Sequence, residues 1–234
     1  MTRSIDLVIL DMAGTTVRDD GLVEQAFARA DAETGVSGDT PWDDALAYVR
    51  ATMGQSKIDV FTHLAGGDGA LAQRAVASFE QAFADAVARG AAEEIPGAEA
   101  VLRGLRADGY AVALTTGFSP ATRDAILDGL GWNGIVDAAL APADAGRGRP
   151  APDLVWAAAV RAGAHSAVRI AVVGDTASDV ESGLRAGAGL VVGVLSGAHD
   201  RETLESAGAH VVIDDVTALP GLLADRSVLA GPAS

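Results

Sequence analysis

Residues 5–16 read Ile5-Asp6-Leu7-Val8-Ile9-Leu10-Asp11-Met12-Ala13-Gly14-Thr15-Thr16, and this stretch decides the fold. Residues 5–10 form a short, nearly continuous apolar run rich in branched side chains, the pattern of a strand buried on both faces of a parallel sheet. The run stops at a carboxylate, Asp11, followed by the Gly and Thr residues that favour a tight turn. In an open parallel sheet ligands bind beyond the carboxyl ends of the strands, so an acid at that end is placed for chemistry.

Working outward, similar apolar runs recur at residues 111–114, 169–173, 190–194 and 210–213. Helical stretches separate them. Residues 97–107 place Val101, Leu102 and Leu105 on one face, residues 121–130 follow a Ser119-Pro120 start signal, and residues 153–162 and 179–186 read likewise. The alternation of strand and helix predicts a doubly wound, Rossmann-like α/β fold around a parallel sheet. Residues 18–94 contain no strand-like run. Instead they carry apolar stripes at helical spacing: Val23, Phe27 and Ala30; Leu46, Val49 and Met53; Val76, Phe79, Phe83 and Val87. Gly66-Gly67-Asp68-Gly69 punctuates them. The expected organisation is a core domain at residues 1–17 and 97–234 with an inserted α-helical cap at 18–96, hinged at Glu93-Glu94-Ile95-Pro96-Gly97. The tail after Asp225 is expected to be loosely held.

The chain has 234 residues with 49% hydrophobic content, enough for one substantial core and a smaller satellite. Its formal net charge of -15 gives no electrostatic support for binding nucleic acid or an anionic membrane, and an anionic substrate must meet a local cationic site. The absence of cysteine excludes disulfides, thiolate nucleophiles and sulfur-ligated metals. No signal peptide or membrane-length apolar run is visible, so a cytoplasmic location is expected.

Four segments fall at successive strand ends: residues 11–16, Thr115-Thr116-Gly117, Gly148-Arg149-Pro150 and Gly174-Asp175-Thr176-Ala177-Ser178-Asp179. Turn chemistry explains each alone but not their order. Together they resemble the four motifs of the haloacid dehalogenase superfamily, across the whole core. The resemblance implies that Asp11 is a nucleophile toward phosphorus, forming an aspartyl-phosphate that water hydrolyses. It implies a magnesium site of Asp11, Ala13, Asp175 and Asp179, hard oxygen donors suited to Mg2+. Thr116, Gly117, Gly14 and Thr15 would meet the phosphoryl group, and Arg149 would supply a cationic fork, with Arg147 the less favoured substitute. Asp179 could equally be the N-cap of the helix that follows.

Phosphatases of this superfamily carry a second aspartate two residues after the nucleophile, and it protonates the leaving alkoxide. Here that position is Ala13. Loss of a general acid typically costs on the order of 10² to 10⁴ in rate. Alanine there, with arginine in place of the third-motif lysine, resembles the phosphonatases (phosphonoacetaldehyde hydrolases), whose cap carries a Schiff-base lysine in a Met-Gly-x-x-Lys-Ile-Asp segment. Met53-Gly54-Gln55-Ser56-Lys57-Ile58-Asp59 matches it, and Lys57 is the only lysine beside sixteen arginines. Arginine cannot replace an amine that attacks a carbonyl. The implied reaction condenses Lys57 with an aldehyde, so that the iminium accepts the electrons of the breaking carbon–phosphorus bond. It needs a neutral amine, hence a pKa lowered by burial or a nearby cation. Met53, expected one helical turn before Lys57, would shield the amine.

The cap departs from the phosphonatase pattern at three places: Val60 replaces a proton-shuttling histidine, Phe118 a tyrosine and Leu22 a cysteine. His63 is at a poor angle to Lys57 on one helix. His63, His165, His199 and His210 are expected to be ordinary surface or core residues. The substrate expected is a small phosphonate or phosphate, and the resemblance adds a possible homodimer through the cap. The alternatives are a small-molecule phosphomonoesterase of the same fold and a non-catalytic phosphate-ligand sensor.

Overall fold

A computed structural model describes residues 5–225. Residues 7–11 form the first strand, β1 (Leu7–Asp11), buried along its whole length. Its side chains alternate between two apolar layers, as the period of two requires. Leu7 and Ile9 pack with residues of α7 (Asp153–Arg161) and α8 (Ala177–Ala186). Val8 and Leu10 pack on the other face with Leu102 and Leu105 of α5 (Ala98–Ala107).

The sheet has six strands in the order β3-β2-β1-β4-β5-β6, all parallel. The others are β2 (Ala111–Thr115), β3 (Ala138–Leu140), β4 (Ile170–Gly174), β5 (Leu190–Val194) and β6 (Val211–Ile213). The chain winds from β1 through β2 to β3 on one side, then returns beside β1 as β4, so the order reverses at the β1–β4 pair. That reversal opens a crevice at the carboxyl edge. Asp11 pairs in register with Thr115, and Leu10 with Val173, which brings the ends of β1, β2 and β4 together. β3 was not expected from the sequence, and neither were the six-residue helices α9 (Arg201–Ser206) and α10 (Leu219–Ala224). Helix α6 (Pro120–Leu130) follows β2, capped by the Ser119 hydroxyl.

Four helices intervene between β1 and α5: α1 (Leu22–Thr34), α2 (Trp42–Ala51), α3 (Lys57–Leu64) and α4 (Gly69–Ala88). Phe27, Phe61 and Phe79 hold three of them together, with ring centroids 4.6 Å (Phe27–Phe61) and 4.9 Å (Phe27–Phe79) apart. Asp68 caps α4 by accepting from the Ala70 and Leu71 amides. The two passages between the sheet and these helices run side by side: Val17 bridges Glu94 antiparallel, Arg18 N donates to Glu93 O at 2.8 Å and Ile95 N to Thr16 O at 2.9 Å.

Met53 is not on a helix with Lys57. Helix α2 ends at Ala51, where the Thr52 hydroxyl donates to Tyr48 O at 2.7 Å, and Gly54 turns the chain at φ 80°. Lys57 is therefore the first residue of a new helix, α3, after Ser56. Among the described residues no helix is long and apolar enough to cross a membrane. The tail after Asp225 lies outside the described residues.

Candidate active site

The three carboxylates the motifs single out meet at the carboxyl edge. Asp11, Asp175 and Asp179 each offer an oxygen within 4.8 Å of the others, and at 4%, 2% and 2% exposure all are buried. Asp175, just past β4, is fixed from several sides: the Thr15 hydroxyl donates to it at 3.1 Å and Ala198 N at 2.8 Å. The backbones of Gly14 and Gly197 press so closely on this carboxylate that a Cβ on either would collide with it, and Gly14 adds a φ of 79°. Thr15 was expected to touch substrate. Its side chain does not line the cleft; its hydroxyl is committed to Asp175 instead.

Asp179 is the third residue of α8, and Thr176 holds the N-cap position in its place. The two form a capping box, in which Thr176 N donates to Asp179 Oδ2 at 3.1 Å and Asp179 N to Thr176 Oγ1 at 3.2 Å. This leaves Asp179 Oδ1 for Arg149, whose Nη1 lies against it and 2.6 Å from Asp11 Oδ1. The Arg149–Pro150 peptide is cis. Arg147 plays no part here: it is solvent-exposed and forks onto Asp153 at 3.0 and 2.9 Å.

Burial raises the Asp11 carboxyl above its ordinary range, with Arg149 opposing. Burial, and then the charge of Asp11, push Asp175 up to about 7. The approach of Arg149 to Asp11 is not a well-aimed hydrogen bond, since Asp11 Oδ1 and Arg149 Nε are buried without hydrogen-bond partners. Three buried acids, an orphaned carboxylate oxygen and an all-oxygen donor set fit a hard divalent cation such as Mg2+. Asp11, Asp175 and Asp179 would hold it. Ala13, half-buried at the cleft, has only its main-chain carbonyl to offer.

A cleft of about 640 Å³ opens above this edge, lined by Asp11, Ala13, Gly14, Met53, Lys57, Thr116, Gly117, Arg149 and Asp175 among others. The helical insert thus brings Lys57 to the same cavity as Asp11. Its side chain is 7% exposed, and Nζ sits 5.6 Å from the ring centroid of Phe27, 5.8 Å from Phe79 and 5.4 Å from Phe118. Phenyl faces compensate a charge only weakly. Burial, and next the positive charge of Arg149, bring the amine down to about 8. Among the described residues Nζ has no hydrogen-bond or ion-pair partner. Met53 is buried and lines the cleft beside it, from the turn before α3.

Thr116 follows β2, and its hydroxyl accepts from Phe118 N at 3.2 Å, shaping the turn that presents Gly117. Phe118 packs on Phe83 at 4.6 Å. The turn Gly54-Gln55-Ser56 seats on three core loops at points of minimal bulk. A Cβ on Gly117 would lie 2.5 Å from the Gln55 carbonyl oxygen, one on Gly148 2.7 Å from Ser56 Cβ, and one on Gly54 2.5 Å from Thr176 Oγ1.

Val60 is fully buried, and His63 is exposed, stacked on Tyr48 at 4.1 Å. Neither brings a titratable group to Lys57. Among the cleft residues missed from sequence are His199 and Asp19. His199 lines the rim, where its Nδ1 accepts from Ala177 N at 2.9 Å and its Nε2 lies 3.4 Å from the Arg50 carbonyl, bridging α8 to α2. Asp19 lines the cleft near Lys57. His199 follows the end of β5, so the rule that drew attention to the other strand ends would have found it. Asp19 has no motif of its own.

A parallel sheet with an acidic triad at its switch point, a buried arginine and a helical insert lining the same cleft is the arrangement of a haloacid dehalogenase-like hydrolase. Residues 5–187 match the family model of the haloacid dehalogenase-like hydrolases, and the chain belongs to that family. A phosphonoacetaldehyde hydrolase of Bordetella pertussis is 34% identical over 156 residues, covering 57% of this chain and 56% of that protein. The alignment thus spans little more than half the length of that relative. A probable phosphatase, IndB, of Dickeya dadantii is 28% identical over 218 residues, covering 92% of each chain. The crystal structure of a phosphonoacetaldehyde hydrolase like protein from Oleispira antarctica superposes with a TM-score of 0.81 at 26% identity, covering 99% of this chain and 96% of that one.

Proposed function

We propose that this hydrolase cleaves the carbon–phosphorus bond of phosphonoacetaldehyde or a related carbonyl phosphonate, with residues 18–96 acting as a cap over the core. The observation that carries the reading is Lys57. A buried amine with a pKa brought down to about 8 lines the cleft that holds Asp11, while Ala13 leaves the site without the acid an ester would need. The names of two relatives point the same way.

In this reading the neutral Nζ adds to the aldehyde carbon and water leaves, giving an iminium on Lys57. Asp11 then attacks phosphorus, and the electrons of the carbon–phosphorus bond pass into the iminium to form an enamine. No leaving oxygen has to be protonated, so alanine at position 13 is tolerated. Protonation and hydrolysis of the enamine release acetaldehyde and free the amine, and hydrolysis of the aspartyl-phosphate releases phosphate and restores Asp11. Arg149 and the amides around Thr116 and Gly117 hold the phosphoryl oxygens. Mg2+ at the triad would offset repulsion between the Asp11 carboxylate and the anionic substrate. The three phenyl rings of Phe27, Phe79 and Phe118 flank the amine.

A second reading, a small-molecule phosphomonoesterase, is favoured by the near full-length similarity to a probable phosphatase. One experiment separates them. Borohydride added with phosphonoacetaldehyde should inactivate the enzyme and leave a reduced two-carbon adduct on Lys57 by mass, while p-nitrophenyl phosphate should turn over poorly. Brisk ester turnover without an adduct would reverse the choice.

A further inference from the structure

The family's proton-shuttling histidine has no counterpart at Val60, and an imine cannot form or break without moving protons. Resting on the carbonyl-phosphonate reading, we propose that Asp19 is the acid–base residue serving the Lys57 amine.

Asp19 lies on the passage from the core into α1 and lines the same cleft as Lys57. The negative charges of Asp19 and Asp11 both favour the protonated form of Lys57. One of its oxygens is fixed, Oδ1 accepting from Val23 N at 2.9 Å in the first turn of α1. Its Oδ2 has no hydrogen-bond partner among the described residues, so one oxygen is positioned and the other is available.

The charges around it are otherwise engaged. Arg18 lies 3.7 Å from Asp20 and 3.5 Å from Glu93, and Arg50 forks onto Glu24 at 2.7 and 2.9 Å. Asp19 itself makes no ion pair among the described residues. The titratable groups that act on it are Lys57, Glu24 and Asp20; His199, also in the cleft lining, is tied to Ala177 and Arg50. Burial raises its carboxyl above the ordinary range, with the Val23 amide and Lys57 opposing. A carboxyl so held can donate a proton as well as accept one.

The step balances as follows. The Nζ lone pair forms the carbon–nitrogen bond and the carbonyl π pair moves to oxygen. The Asp19 carboxyl takes a proton from nitrogen and gives one to oxygen, leaving a neutral carbinolamine and a protonated Asp19. The carbon–oxygen bond then breaks. Its oxygen leaves as water with the Asp19 proton, and the nitrogen lone pair closes the iminium, now facing the Asp19 carboxylate. In the hydrolysis half Asp19 reverses these roles.

The test is the rate of borohydride trapping at Lys57 with phosphonoacetaldehyde, across pH, in wild type, Asp19→Asn and Asp19→Glu. Asparagine keeps the Oδ1 acceptor for Val23 N, so thermal melts of Asp19→Asn should stay near wild type. Adduct formation in Asp19→Asn should fall by about 10²-fold, with kcat falling alongside and KM little changed. The wild-type rate should pass through a maximum with pH, Asp19→Asn should only rise as the amine deprotonates, and Asp19→Glu should recover part of the rate and the maximum. Equal trapping rates with the same pH profile in wild type and Asp19→Asn would overturn the role while leaving the imine intact. A loss shared by both variants with the wild-type profile retained would also overturn it, in favour of a purely structural role at α1. Absence of any adduct in wild type would instead remove the imine reading, and this proposal with it.

Discussion

Nη1 of Arg149 lies 2.6 Å from Asp11 Oδ1 and also against Asp179 Oδ1, so a single guanidinium serves two of the three buried carboxylates. Removing it leaves three buried acids without that cation. Breaking a buried ion pair from one side typically costs about 3 to 5 kcal/mol. Arg149→Met should accordingly lower the melting temperature in chelator, and Mg2+ should recover more of the loss in the variant than it adds to wild type. Melting curves titrated with Mg2+ check this. An equal Mg2+ shift in both proteins would place the cation away from the triad.

Asp11→Asn should abolish phosphate release and leave the fold intact, because the substitution keeps volume and removes a buried charge whose carboxyl is already raised by burial. The measurement is phosphate release over hours beside a circular-dichroism melt. Release at a measurable fraction of the wild-type rate would take the nucleophile role from Asp11.

How much of this was legible in the sequence depends on where each signal lives. β5 was read with the bounds it has, and the apolar run ending at Asp11 became β1, because a strand buried on both faces must be apolar throughout. Asp11 and Asp175 were legible for the same reason, since each stands at the end of such a run, whereas Asp179, on α8, was singled out through the resemblance to the haloacid dehalogenase motifs. β3 escaped because Ala138, Ala139 and Leu140 are too few and too small to rise above background, and the six-residue α9 and α10 are shorter than two turns of periodicity. The error at Met53 was local. Gly54 was a visible break, yet the heptapeptide was read as one helix. Asp19 becomes a neighbour of the cleft only through tertiary placement, which no single-sequence pattern carries, whereas His199 lies past the end of β5, within reach of the strand-end rule.

Burying Lys57 should cost stability, and the cost should depend on pH. Its pKa is about 8 in the folded chain against an ordinary 10.5. Below pH 8 the amine is protonated in both states and the full penalty of burying a charge is present. Between about 8 and 10.5 the unfolded chain binds more protons than the folded one, so stability rises with pH and the penalty fades. Lys57→Met should thus be more stable than wild type at pH 7 by on the order of 1 to 3 kcal/mol, a gain that shrinks toward pH 10. Denaturant unfolding at pH 7, 8.5 and 9.5 measures it. A gain independent of pH would mean that the amine is not buried. Lys57→Arg should abolish carbonyl-phosphonate turnover and borohydride trapping, since arginine keeps the charge but forms no imine.

Gly117 tests whether the close seating of the insert matters to chemistry. Its φ is not in the left-handed region, so alanine there introduces no backbone strain; the added Cβ would simply stand 2.5 Å from the Gln55 carbonyl oxygen. To relieve that contact, the turn Gly54-Gln55-Ser56 must lift from the core, carrying Lys57 with it, because α3 begins at the next residue. Overpacking of this kind costs about 1 to 3 kcal/mol. The larger effect should be on rate, since displacing a reacting group by about 1 Å can cost on the order of 10²-fold. We expect Gly117→Ala to melt only slightly early while its trapping rate at Lys57 falls at least tenfold. Hydrolysis of an already formed aspartyl-phosphate should change far less, because Asp11, Asp175 and Asp179 all belong to the core. Single-turnover measurement of the two stages separates them. Equal losses at both would show that the added methyl disturbs the phosphoryl site itself rather than the approach of the amine.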